Sequence, residues 1–391
     1  MALNKLTFNV NSAGLGTPLA SSDHKSGIVY YNNTLPSGFS ASDRIKTVFS
    51  LEEAEALGIV EGTAAHAVEW YHISQFFEKQ PSGQLSIGYF AVPAGTPSFL
   101  EVKTLQDALI GEIRQMAVYF INSAYSATQV TAIQSRVTEL QAEYKFLNVL
   151  YGADISGVSD LSTLATLRTL TAPNVSVCIG QDGNGKGAAL YASKSYSITD
   201  LGAKLGAVAA ANVNESISYI ENFPMVTDGT EFDVVAFANG NAFLTTSVAQ
   251  REALDDKGYL FLVKEIGLTG TFNNDSYTSV ATTSDLATIE NNRTIDKAKR
   301  LLRFFILPKL GSPLRVNTDG TLRPDTVATF KALAEKGLGQ METDRELSAY
   351  EVIINAAQNV VSTSKLELTV KIVPVGVARE IVINIGFVPK L

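Results

Sequence analysis

Apolar and polar residues alternate with period two in three stretches of the chain, the pattern of a strand buried on one face. The first is Asn4 to Val10, with Leu6, Phe8 and Val10 on one side and Lys5, Thr7 and Asn9 on the other. The second has Leu366, Leu368, Val370 and Ile372 alternating with Glu367, Thr369 and Lys371; the third has Ile381, Ile383 and Ile385 alternating with Val382, Asn384 and Gly386. A turn around Gly376 separates the last two, so the pattern predicts a C-terminal hairpin. Asn11 to Gly27 is rich in Ser, Gly and Ala and shows neither period, which makes it a connector able to span about 55 Å. Residues 1–27 are therefore expected to be a strand on a tether.

Between these ends the spacing changes. Ile28 to Tyr31 predicts a short strand, and Ser50 to Gly58 a helix with Ser50 as N-cap, Glu53 at the capping-box position and Gly58 as its stop. A helix over Ala64 to Phe77 leads into a strand over Leu85 to Val92. From Thr96 to Gly270 helical spacing (Val130, Ile133, Val137, Leu140; then Leu201, Leu205, Val208) alternates with β-rich runs such as Asn174 to Ile179, which predicts an α/β layer unit. Gly202 and Gly206, within an expected helix over Thr199 to Ile217, would let another element approach closely. A helix over Thr294 to Leu307 would bury Ile295, Ala298, Leu302 and Phe305, leaving Arg293, Lys297 and Arg300 as a cationic face. A helix over Pro324 to Lys336 follows, with Gly337 as its stop.

Composition narrows the class. The 391 residues are 46% apolar but only 18% charged, so neutral side chains must cover much of the folded surface, as suits an assembly that hides surface between copies. The single Cys178 excludes a disulfide framework and suggests a reducing compartment. No export signal is expected in Met1 to Asn11, and Pro or polar residues interrupt the uncharged stretches, so no membrane span is expected. Lys and Arg outnumber Asp and Glu 15 to 10 in residues 291–391, against 16 to 29 in residues 1–290, which points to two surfaces with different partners.

A two-stranded hairpin is marginal alone and needs further strands or a helix. The tethered N-terminal strand can supply one in two ways: by folding back on its own hairpin, or by adding to the hairpin of a neighbouring copy. Head-to-tail exchange of the second kind leads to rings or helical filaments.

Chemistry is sparse. Gly180 to Gly187 has phosphate-loop spacing, but Gly187 stands where Ser or Thr would hold magnesium, and the next clear helix is expected only near Thr199. His24, His66 and His72 have no metal-ligand spacing, and Cys178, in an apolar run, reads as buried. The adjacent pairs Glu52/Glu53 and Asp255/Asp256 diverge on a helix and suit a solvated surface. No catalytic residue, cofactor site or metal site is assigned, and the acidic balance argues against direct nucleic-acid binding.

The stretches NNRTIDKAKRLLRFFILPKL, LRVNTDGTLRPDTVATF and GQMETDRELSAYEVIINAAQNVVSTSKLELTVKIVPVGVAREIVINIGF resemble contractile phage tail sheath proteins and the sheaths of related contractile injection systems. SGIVYY, KTVFSLEEAEALGI, YHISQFFEKQPSGQLSIGYF and ANVNESI add to the resemblance, which covers about half the chain. It implies an α/β protein with a conserved α+β inner domain built from N- and C-terminal segments (residues 28–95 and 271–391), an inserted α/β outer domain (residues 96–270) and extended terminal arms, the C-terminal one at about 377–391. It implies subunit-linking strands at Leu6, Phe8, Val10, Leu366, Leu368, Val370, Ile381, Ile383 and Ile385, and tube-facing Arg293, Lys297 and Arg300. The expected function is non-enzymatic: a helical sleeve around a tail tube that contracts to drive the tube into a target cell. The implied partners are other copies, the tail tube protein, and baseplate and tail terminator proteins, with the particle assembled in a host cytoplasm as part of a virion. The alternatives are a nucleotide-binding enzyme using Gly180 to Gly187, or a static tube or shell subunit.

Overall fold

The computed structural model describes residues 22–120, 124–226 and 231–387. The expected strand Asn4 to Val10, with Leu6, Phe8 and Val10, lies outside the described residues.

The first half of the chain builds one sheet. Its elements are β1 (Ser26–Tyr31), β2 (Ile45–Val48), α1 (Leu51–Ala56), α2 (Ala67–Lys79), β3 (Leu85–Phe90), α3 (Leu100–Ala108), β4 (Gln115–Tyr119), α4 (Ala127–Ala142), β5 (Asn148–Gly152) and β6 (Val175–Cys178). The strand order is β2-β3-β1-β4-β5-β6, parallel except for β2, which runs antiparallel to β3 at the edge. Every residue of β1, β4, β5 and β6 is buried, as parallel strands covered on both faces require. At α1 Ser50 is the N-cap, as expected: its hydroxyl accepts from the Glu53 amide, while the Glu53 carboxylate accepts from the amide of Phe49 and not from that of Ser50, so the reciprocal capping-box bond is displaced by one residue.

Next come β7 (Gly180–Asp182), α5 (Lys186–Lys194), α6 (Leu201–Ala210), β8 (Val235–Phe237), α7 (Val248–Asp256), β9 (Leu262–Val263) and β10 (Phe272–Asn273). Helix α6 packs on α2, and the close approach expected at its glycines is present: a Cβ on Gly202 would lie 2.0 Å from the carbonyl oxygen of His72, and one on Gly206 2.7 Å from that of Phe76. One apolar core runs from Ile28 through Leu262 to Ile289.

The last elements are α8 (Ile289–Ile306), α9 (Pro324–Thr343), β11 (Leu347–Ile353), α10 (Val360–Thr363) and β12 (Thr369–Pro374). They enclose a second core of Ala298, Leu301, Ala334, Leu338, Met341, Leu347 and Val352. Helix α8, about 27 Å long, is shared: Ile289 belongs to the first core, and Ala298 and Leu301 to the second.

Two expectations are corrected. Strand β12 pairs with β11, antiparallel, with Val352 opposite Val370, and not with Ile381 to Ile385. Residues 375–387 continue without regular structure and are fully exposed from Glu380 on. Helix α9 does not stop at Gly337 but passes through it, because the missing side chain lets α9 lie against Leu301 and Phe305 of α8. Strand β1 is bonded to β3 on one side and β4 on the other, so residues 28–95 and the start of the expected outer domain share one sheet.

Candidate assembly surfaces

The cationic residues singled out on α8 do share a face, and Glu290 joins them at spacing i, i+3, i+7, i+10. That face points inward. Arg293 is only 4% exposed and donates to the carbonyls of Ala211 and Asn212 at 3.1 Å and of Asp23 at 3.4 Å. Lys297 pairs with Asp23 at 2.8 Å and with Glu346, and Arg300 pairs with Asp23 at 2.6 Å. Burial alone would raise Asp23, but Lys297, Arg300 and Arg293 hold its carboxyl below the usual range. Burial lowers Arg293 to about 10, with Asp23 opposing. The charges of Arg293, Lys297 and Arg300, the residues expected to face the tube, are thus met inside the subunit by groups distant in sequence.

At the other end of the same helix Arg379 enters a socket. Its Nε donates to both oxygens of Asp275, at 3.0 and 2.9 Å, and its Nη2 to Glu290 and to the Ser276 hydroxyl. Asp275 and Glu290 are buried, and Ser276 donates its hydroxyl to Glu290 at 2.6 Å. Asp23, Glu346, Asp275 and Glu290 were not legible as site residues; only the position of Glu290 in the α8 stripe hinted at its part.

The β11–β12 pair is a two-stranded sheet whose outer edges are unpaired among the described residues. Leu368, Val370 and Ile372 pack on the second core, while Leu366 lines an apolar groove of about 950 Å³ with Tyr144, Phe146, Leu302, Ile306 and Phe330. Ile381, Ile383, Ile385 and Phe387 are 76%, 73%, 90% and 107% exposed on the segment that follows. Exposed apolar residues thus accompany open strand edges on one chain, features that strand addition between copies would use.

The glycine-rich loop is filled from within. Contrary to expectation, α5 starts within it, at Lys186, but the buried Asp182 carboxylate occupies the loop. It accepts from the amides of Asn184 at 3.3 Å, Gly187 at 3.1 Å and Phe232 at 3.0 Å. An anion at the helix start would meet that carboxylate in place of free amides. His66 and His72 are both core residues, and Cys178 is buried with its thiol pushed up by burial.

This fold aligns with those of solved contractile sheath proteins. The helical sheath of the anti-feeding prophage in its contracted state aligns with a TM-score of 0.64 at 13% identity over 99% of both chains. The contracted PVC sheath complex of an extracellular contractile injection system aligns at 0.60 and 12%, over 100% of this chain and 98% of that one. The sheath tail protein of Desulfitobacterium hafniense aligns at 0.54 and 12%, over 95% and 100%. Residues 26–277 match the family model described as DUF2586, N-terminal domain, and residues 285–391 that described as DUF2586, C-terminal domain. The chain belongs to the DUF2586 family. Comparison with curated proteins gives no match.

Proposed function

We propose that this protein is the subunit of a contractile sheath, a structural and mechanical polymer that forms a helical sleeve around a tail tube. The observation that carries the reading is the alignment over 99% of both chains with a contracted sheath, joined to an exposed apolar arm and open β11–β12 edges. The arms link copies: the terminal segments of one subunit complete the β11–β12 sheet of another. The unit of α8 to β12, with the arms, forms the connecting inner wall, and the α/β body lies outside it. The partners are other copies of the chain, a tube protein, and baseplate and terminator proteins at the ends of a phage-tail-like particle.

Each added strand contributes several backbone hydrogen bonds of about 0.5–1.5 kcal/mol net, so linkages persist while subunits rotate between an extended and a shorter, wider packing. A difference of a few kcal/mol per subunit, summed along the sleeve, moves the tube without nucleotide. Electron microscopy of the purified full chain is expected to show sleeves, in two lengths. Deleting Met1 to Asn11 is expected to leave folded, soluble monomers; sleeves formed by that truncated chain would overturn the linkage.

A further inference from the structure

The charged stripe of α8 holds both ends of the described part of the chain. Asp23, where the described N-terminal residues begin, is gripped by Lys297 and Arg300, and its carbonyl by Arg293. Arg379, immediately before the exposed C-terminal segment, is gripped by Glu290, with Asp275 alongside. The two grips have opposite polarity: the N-terminal root supplies the anion, the C-terminal root the cation. They lie on one face of one helix, separated by the rise from Glu290 to Lys297 and Arg300, about 10 to 15 Å.

We propose that α8 is a tie between the two arm roots, and that the Asp275–Glu290 pair is a guanidinium socket kept filled by the subunit's own Arg379 when the arm passes to a neighbour. Two buried carboxylates that share the Ser276 hydroxyl repel one another unless a cation lies between them, and Arg379 reaches both with a planar fork that lysine lacks. Withdrawing Arg379 to swap it between copies would leave both carboxylates uncompensated, so exchange starts after it, at Glu380. The described part beyond this root, Glu380 to Phe387, reaches about 27 Å when extended, which sets how far away the accepting strand can lie. Tension entering at one arm leaves by the other through α8 and bypasses the α/β body. This rests on the sheath reading for its consequence, though the anchoring itself does not.

The test uses the full chain with spin labels at Thr131→Cys on α4 and Ile381→Cys, two residues past the root; Cys178 is buried and stays unlabelled. The parent chain is expected to give one narrow distance. Arg379→Gln alone strands two buried charges and can unfold the region, so the decisive variant is Arg379→Gln with Asp275→Asn and Glu290→Gln, which leaves socket and plug both neutral. That variant is expected to stay folded and lose the single distance, and its sleeves to lose regular length. A label pair at Thr131→Cys and Ser22→Cys is expected to lose its single distance in Asp23→Asn while the Ile381 distance stays as in the parent. An unchanged Ile381 distance in the neutral-socket variant, or sleeves indistinguishable from the parent's, would overturn the tie. Absence of sleeves from the unlabelled, unsubstituted chain would instead overturn the sheath reading, leaving the distances to judge the anchor.

Discussion

Glu69 and His72 lie three residues apart on α2, both buried, and burial drives their titrations in opposite senses. Burial raises Glu69 to about 7, against the opposing amide of Asn32, 2.7 Å from its carboxylate, and the charge of Lys194. Burial lowers His72 to about 4, against its bond to the Thr199 carbonyl at 3.1 Å. A carboxyl whose native pKa is raised contributes stability that is full below its unfolded value, near 4.5, and is lost as pH rises through 7. A histidine whose native pKa is depressed contributes stability that is full above 6.5 and is lost as pH falls toward 4. Each displacement is worth about 3 kcal/mol, so between pH 4.5 and 6.5 the two slopes nearly cancel. Glu69→Gln keeps an acceptor for Asn32 and removes one slope. Urea unfolding at pH 4.5, 5.5, 6.5 and 8, followed by the fluorescence of Trp70 on the same helix, is expected to show the variant gaining stability with pH up to 6.5. At pH 8 it should exceed the parent by about 3 kcal/mol. Equal slopes in the two proteins, or a variant no more stable at pH 8, would refute the reasoning.

Three other outcomes can be measured directly. Gly202→Ala pushes a methyl against the His72 carbonyl and is expected to cost about 2 kcal/mol or more in denaturant unfolding, because α2 and α6 must separate. Ile383→Asp, on the exposed segment, should leave monomer stability within about 0.5 kcal/mol of the parent yet abolish sleeves in electron micrographs; lost monomer stability with intact sleeves would place Ile383 in a core instead. Asp182→Ala strips the amides of Asn184, Gly187 and Phe232 of their acceptor and should destabilise by about 2–3 kcal/mol in the same assay, while calorimetry with ATP shows no binding to either protein.

Local pattern carried far in this chain. Ser50 with Glu53, the β-rich run before Cys178 and the small residues of α6 are each signals decided within a few residues, and the capping bonds, β6 and the α2–α6 contact follow from them. The strand partner of β12 was not legible: alternation marks which face is buried but not which ladder bonds to it, and Leu347–Ile353, with a less regular pattern, won that place. Gly337 misled as a helix stop because a glycine inside a helix can serve close packing as well as termination.

By itself the sequence determined that the ends of the chain carry the period-two alternation of half-buried strands, that an α/β body lies between them, and that Arg293, Lys297 and Arg300 share one helical face. Only tertiary structure decided what that face meets. Asp23 lies 277 positions from Arg300, and Glu346 lies 49 from Lys297, so no local period can announce them. Helical spacing states the direction of a side chain relative to its neighbours; whether that direction is toward water or toward a buried carboxylate depends on contacts that exist only once the chain has closed on itself.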